Sequence, residues 1–168
     1  MRTVDRIVIA APLEHVFQVA RDVERWPAFL PHYRRVRFLT RGPDGGGGGG
    51  GTVEMAAWRP FGLLRWPTWW VSEMTIDSAQ REIRYRHVRG ITRGMDVVWR
   101  LRGTDGIEAQ RHRGTVGTVE VEIVHTWDGP GWPLIGRAVA ALVIGPVFIH
   151  GIATRTLAGI KRIAEGER

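Results

Sequence analysis

His87 and His125 each stand in a segment whose apolar residues alternate with charged ones, and each falls on the apolar side. In 81–89, Ile83, Tyr85 and His87 share one face against Glu82, Arg84 and Arg86; in 117–127, Val119, Val121, Ile123, His125 and Trp127 oppose Glu120 and Glu122. In 95–103, Val97, Trp99 and Leu101 oppose Val98, Arg100 and Arg102. An imidazole in a mostly apolar cavity donates to a ketone or phenol, or moves a proton near neutral pH. Tyr33 and Tyr85 add phenol donors for a ligand oxygen. Trp26, Trp58, Trp70, Trp99 and Trp127 offer faces for a planar ligand. Tyr33 and His125 are the candidate catalytic pair; Trp26, Trp58, Trp70, Met74, Tyr85, His87, Trp99 and Trp127 are candidate ligand-binding residues. The competing reading is structural in every case. A histidine can be satisfied by a backbone carbonyl, a tyrosine can sit in the core with its hydroxyl reaching the surface, and a tryptophan can be plain packing.

Other chemistries find no support. The chain has no cysteine, which excludes disulfides, thiol nucleophiles and thiolate metal sites. Neither His87 nor His125 has a second histidine and a carboxylate at ligand spacing, so no metal and no cofactor is expected. No GxSxG or Ser-His-Asp order stands out, and no paired carboxylates occupy an inward face; Asp22 and Glu24 suit capping and surface charge. Gly45 to Gly51 is a run of seven glycines that lacks the following Lys-Ser/Thr of a phosphate loop, and it reads as a floppy hairpin tip.

These residues need elements to hold them. Residues 3–10 alternate as a strand. Ala11-Pro12 then opens a short amphipathic helix through Leu13, Val16, Phe17 and Ala20. A second short helix spans Val23 to Leu30, interrupted at Trp26-Pro27 and stopped by Pro31. Period two then returns over 33–41, 52–59, 66–76, 81–89, 95–103 and 117–127, separated by Gly, Pro, Asp or Ser clusters. Strands this close in sequence pair antiparallel. The segment 104–116 reads as a weaker strand or an insertion. Residues 134–144 look helical, and a longer helix over 146–165 carries Ile149, Ile152, Ala153, Leu157, Ile160, Ile163 and Ala164 on one stripe.

At 168 residues the chain suits one domain over 1–168, large enough to bury a core without staples. The net charge is +7, yet only Lys161 of the 24 basic residues is a lysine, and the arginines are scattered along the strands. That fits an Arg-heavy solvated face, and a nucleic-acid partner is not expected. Leu134 to Ile152 is apolar but holds Arg137, His150, Pro146 and three glycines, which suits a buried helix better than a membrane span. No apolar signal region opens the chain, so a cytoplasmic location is expected.

The order of elements resembles the START/Bet v 1-like (SRPBCC) superfamily. The residues carrying the resemblance are Ile7 to Phe17, Asp22-Val23-Glu24-Arg25-Trp26-Pro27, Gly94-Met95, Val98-Trp99, Val124-His125-Thr126-Trp127 and the helix from Thr156-Leu157 to Ile163. Within the superfamily the chain is similar to bacterial polyketide cyclase/dehydrase (aromatase/cyclase) and coenzyme-Q-binding START proteins. The resemblance implies an α+β helix-grip fold: a curved antiparallel sheet of about seven strands around a long C-terminal helix, with two short helices after strand 1 and an apolar cavity between sheet and helix. For the cyclases it implies an Arg, a Tyr and a Trp near the pocket. Trp26 and Tyr33 match the last two, whereas Met74 stands where those enzymes carry Arg. The expected ligand is a hydrophobic, aromatic or polyketide-like small molecule, with cyclisation a possible outcome. The alternative is a non-catalytic lipid or quinone carrier, for which the Trp66–Trp70 cluster and Arg-rich rims suit peripheral contact with an anionic membrane.

Overall fold

The computed structural model describes residues 1–42, 49–61, 64–104, 117–129 and 149–166. The expected helix over 134–144, the first residues of the expected helix 146–165, 45–48 of the expected glycine hairpin tip, and 105–116 of the segment 104–116 lie outside the described residues.

Alternation makes β1 (Arg2–Ile9), whose buried members are Asp5 and Ile9. Pro12 presets the backbone for α1 (Leu13–Arg21), which buries Val16, Phe17 and Ala20 on one side. A single 3₁₀ turn, Val23–Arg25, leads into α2 (Trp26–Phe29). Leu30 N–H closes that helix on the Trp26 carbonyl at 2.7 Å. Pro31 has no N–H to continue it. The strands follow as β2 (Tyr33–Arg41), β3 (Gly50–Phe61), β4 (Leu64–Asp77), β5 (Glu82–Gly90), β6 (Asp96–Gly103) and β7 (Val119–Thr126), and α3 (Gly151–Ala164) comes last.

The seven strands form one curved antiparallel sheet in the order β1-β7-β6-β5-β4-β3-β2. Both edges are thus strands from the first third of the chain, and α1 and α2 carry the chain between them. The helix-grip reading holds. The glycine tract differs from expectation at its end: Gly50 and Gly51 are strand residues of β3, opposite Thr75 and Met74 of β4, and do not belong to a loose tip. A Cβ on Gly51 would stand 2.1 Å from the Thr40 carbonyl oxygen of β2, so the close approach of these strands needs glycine there.

Helix α3 packs its apolar stripe against β1, α1 and the inside of the sheet. Ala153, Thr156, Leu157, Gly159, Ile160 and Ala164 are buried, while Arg155 and Arg162 are exposed. Polar ties hold its C-terminal half: Lys161 Nζ donates to the Val8 carbonyl at 2.8 Å, and Glu165 Oε1 accepts from Ala10 N–H at 2.7 Å. These ties set the height at which α3 crosses the sheet.

Candidate functional site

Between the sheet and α3 lies a cavity of about 60 Å³. The inward faces of β4 to β7 supply Trp70, Tyr85, His87, Trp99 and His125, while α2 and β2 supply Trp26 and Tyr33. Helix α3 closes the other side through Ile149, Ile152, Ala153 and Thr156. Met55 and Met95 complete the apolar wall, and no arginine or lysine is among the described lining residues.

The aromatic wall is interlocked. Trp26 meets Tyr33 edge-on with centroids 5.1 Å apart, and it tilts against Trp99 at 5.7 Å. Its Nε1 donates to the Val19 carbonyl at 3.3 Å, so α1 fixes the indole and Trp26 offers the cavity a surface and no donor. Trp70 lies 6.3 Å from Tyr33, and on its other side it stacks on His87. Gly90, directly opposite Trp70 in the β4–β5 pair, has φ +94. A Cβ there would stand 2.3 Å from the Trp69 carbonyl oxygen and 2.6 Å from Trp70 Cα, so glycine allows the close approach that seats this indole.

Tyr33, Tyr85, His87, Thr92, His125 and Thr156 bring polar groups to the cavity wall. The Tyr85 hydroxyl is buried and has no hydrogen-bond partner. Burial pushes its titration well above the ordinary phenol range, and the neighbouring Tyr33 raises it further. Tyr33 Oη accepts from Thr156 Oγ1 at 3.5 Å, and Thr156 Oγ1 is 3.0 Å from His32 Nε2. His87 Nδ1 is bonded to Thr92 Oγ1 at 2.6 Å. His125 Nδ1 lies 3.4 Å from Thr3 Oγ1 and 4.0 Å from Asp5 Oδ2. Asp5 is buried behind it: Oδ1 is bonded to His150 Nδ1, and Oδ2 has no hydrogen-bond partner. Burial raises the Asp5 carboxyl above its ordinary range, and the bond to His150 and its attraction pull it partway back.

Seven of the ten residues expected from sequence line this space: Trp26, Tyr33, Trp70, Tyr85, His87, Trp99 and His125. Three do not. Trp58 is half-buried on an outer groove with the Arg34 guanidinium 4.5 Å from its ring centroid. Met74 is packed in the core, opposite Tyr85 in the register but outside the cavity lining. Trp127 is buried behind the turn after β5, its Nε1 donating to the Arg93 carbonyl at 3.0 Å. Asp5, not among the sequence candidates, shares the inward register of β1 with Thr3, Ile7 and Ile9 and is buried behind His125. Thr156 sits on the same helical stripe as Ala153, so periodicity alone could have found it. Nothing local marks Thr92 or His32, which are placed by a turn and by the helix packed over them. Among the described residues, no group of three or more His, Asp or Glu is arranged to hold a metal. No described helix is long and apolar enough to cross a membrane.

A family model described as polyketide cyclase / dehydrase and lipid transport matches residues 9–144. A candidate polyketide cyclase from Streptomyces halstedii is 34% identical over 109 residues, covering 58% of this chain and 84% of its own length. Among solved structures, the Zhui aromatase/cyclase from Streptomyces sp. R1128 superposes with a TM-score of 0.62 at 18% identity, covering 100% of this chain and 99% of that one. A START superfamily protein from Mycobacterium smegmatis gives 0.62 at 15% identity, covering 98% and 97%. At these identities the two superpositions speak for the fold alone.

Proposed function

Since this chain belongs to the polyketide cyclase / dehydrase and lipid transport family, we propose that it binds a hydrophobic, aromatic or polyketide-like small molecule between the sheet and α3 and promotes its cyclisation. The observation that carries this reading is the Tyr85 hydroxyl, buried in the cavity wall with no protein partner. A buried donor left unmade costs about 1–3 kcal/mol, and a ligand carbonyl arriving there recovers it. The raised titration of Tyr85 keeps it a neutral donor at all physiological pH values.

The chemistry follows from what the cavity holds. With no arginine or lysine among the described lining residues, a developing enolate or alkoxide is met by phenols and imidazoles, Tyr85, Tyr33 and His125. Indole surfaces fix the plane of the chain being folded. Holding two reacting carbons together removes several kcal/mol of barrier without a strong acid or base. The space of about 60 Å³ is smaller than the roughly 300–1,000 Å³ of ordinary ligand pockets. A ligand therefore enters as the wall yields, and the flexible unbranched side chains of Met55 and Met95 supply that give. The catalytic version is tested with a poly-β-ketone mimic. Wild type should give one dominant ring pattern, and Tyr33→Phe combined with His125→Ala should give the mixture formed without protein. Equal product distributions from both proteins would remove catalysis from the proposal.

A carrier of lipid or quinone is the second reading. Trp66 and Trp69, on the outer part of β4, are 59% and 43% exposed, and large exposed indoles suit a membrane interface. Native mass spectrometry of freshly purified protein decides it: a co-purified isoprenoid or acyl lipid supports carriage, and a consistently empty protein counts against it.

A further inference from the structure

His32 neighbours Tyr33 in sequence, yet it belongs to a different space. It lines an outer groove of about 410 Å³ together with Leu30, Trp58, Arg155, Gly159 and Arg162, while Tyr33 lines the inner cavity. One buried hydroxyl stands between them. Thr156 is 1% exposed on α3, 3.0 Å from His32 Nε2 and 3.5 Å from Tyr33 Oη. Because Thr156 donates to Tyr33, its oxygen is left to accept from the imidazole N–H, and the three groups line up as a single donor chain. The long link is the one to Tyr33, where such contacts in ligand-free sites tighten on loading.

We propose that His32, Thr156 and Tyr33 form a proton relay joining the inner cavity to the outer groove. When Tyr33 gives its O–H proton to a ligand oxygen, Thr156 passes its proton to Tyr33 and His32 passes its Nε2 proton to Thr156. One O–H or N–H bond breaks and one forms at each station. The ligand gains one proton; doubly protonated His32 keeps its Nδ1 proton and becomes neutral, and Nε2 regains a proton from a hydronium ion of the groove once the ring turns toward it. The relay lets a dry cavity exchange a proton without opening to solvent. Among the described residues, the charged and titratable groups near His32 include Tyr33 on β2 and Arg155 and Arg162 on α3, with Arg34 over Trp58 across the groove, and no described carboxylate lines the groove. His32 acts through its neighbours and is a positioning residue; its value to the chemistry rests on the role given to Tyr33 above.

The chain has only two tyrosines, which makes the test direct. Protein labelled with ¹³C at tyrosine Cζ and histidine Cε1 is titrated by NMR, with Tyr85→Phe and His32→Gln assigning the signals. The expected result is a Tyr33 Cζ step at the same pH midpoint as the His32 ring. That step should vanish in His32→Gln and Thr156→Val and return in Thr156→Ser. The rings of His32 and Tyr33 are also 4.7 Å apart, so a direct influence is the rival cause. A step that persists in Thr156→Val overturns the relay, as does no step in wild type, which needs no variant to fold. A wild-type turnover rate of the ketone mimic by Tyr33→Phe would instead remove the catalytic reading and leave the relay standing.

Discussion

The imidazole of His87 lies nearly parallel to the indole of Trp70, with centroids 5.9 Å apart and 19° between the planes. The stack is held from behind by the bond from His87 Nδ1 to Thr92 Oγ1, and Thr92 is 2% exposed. Replacing His87 by alanine strips a buried hydroxyl of this bond and leaves a gap beside Trp70. We expect a loss of about 2–4 kcal/mol, combining an unmade hydrogen bond with a small cavity. His87→Asn, which can still reach Thr92, should recover part of it. Urea denaturation of both variants checks this; equal losses would mean that Thr92 contributes nothing.

Tyr85→Phe separates stability from binding. The substitution removes a buried hydroxyl without a partner, so the free protein should lose no stability and gain about 1 kcal/mol. Binding of an aromatic ketone such as 2-acetonaphthone, followed by tryptophan quenching, should weaken about tenfold, the worth of one hydrogen bond. A variant that is destabilised by more than about 1 kcal/mol, or that binds the ketone as wild type does, contradicts the donor role.

The two edges of the molecule respond to acid in opposite senses. Glu54 receives Trp69 Nε1 at 3.0 Å and Arg37 Nε at 2.7 Å, with Arg35 beside it, and these hold its carboxyl below the ordinary value of 4.5. A lowered carboxyl stabilises the fold above its ordinary pKa, and that contribution is lost as the pH falls through the folded value. Asp5 is raised above 3.8, so its contribution is present below that pH and lost as the pH rises through its folded value. Thermal unfolding between pH 3 and 6 should therefore show a shallower rise for Glu54→Gln than for wild type, and a steeper one for Asp5→Asn. Parallel curves for all three proteins would sink this assignment.

Gly90 is a backbone requirement of the site. Alanine there would force a side chain into φ +94 and against the carbonyl of Trp69. The expected cost exceeds about 2 kcal/mol, since backbone is what must move. Trp70 and the cavity beside it should shift with it. Wild-type stability for Gly90→Ala, measured by calorimetry, would show that β4 and β5 can part without loss.

Much of this was legible in the residues. Period-two alternation placed Tyr85, Trp99 and His125 on inward faces, because a strand sends successive side chains to opposite sides whatever its partners are. The same logic covered Asp5, but a carboxylate on an inward face runs against burial statistics, and only the pairing of β1 with β7 and the seating of the start of α3 show that His125 and His150 stand beside it. Trp58 and Trp127 failed for another reason. Alternation gives the side of the sheet but not the position along it: Trp58 stands on the outer groove with Arg155 and Arg162 of α3, and Trp127 lies behind the turn after β5. His32 joins the molecule through Thr156, 124 residues away in sequence, a separation that no local pattern can span.

The strand order has a consequence for the birth of the protein. β1 pairs with β7, from Arg2 opposite Thr126 to Ile9 opposite Val119, so the strand made first has no sheet neighbour until the strand made last is complete. At translation speeds of about 5–20 residues per second, β1 waits roughly 5–20 seconds with its edge unpaired. Its sequence, Arg-Thr-Val-Asp-Arg-Ile-Val-Ile, holds three charges among its first five residues through that interval. Charged residues so placed disfavour pairing of a waiting strand with another chain, which gives Arg2, Asp5 and Arg6 a use before the sheet closes.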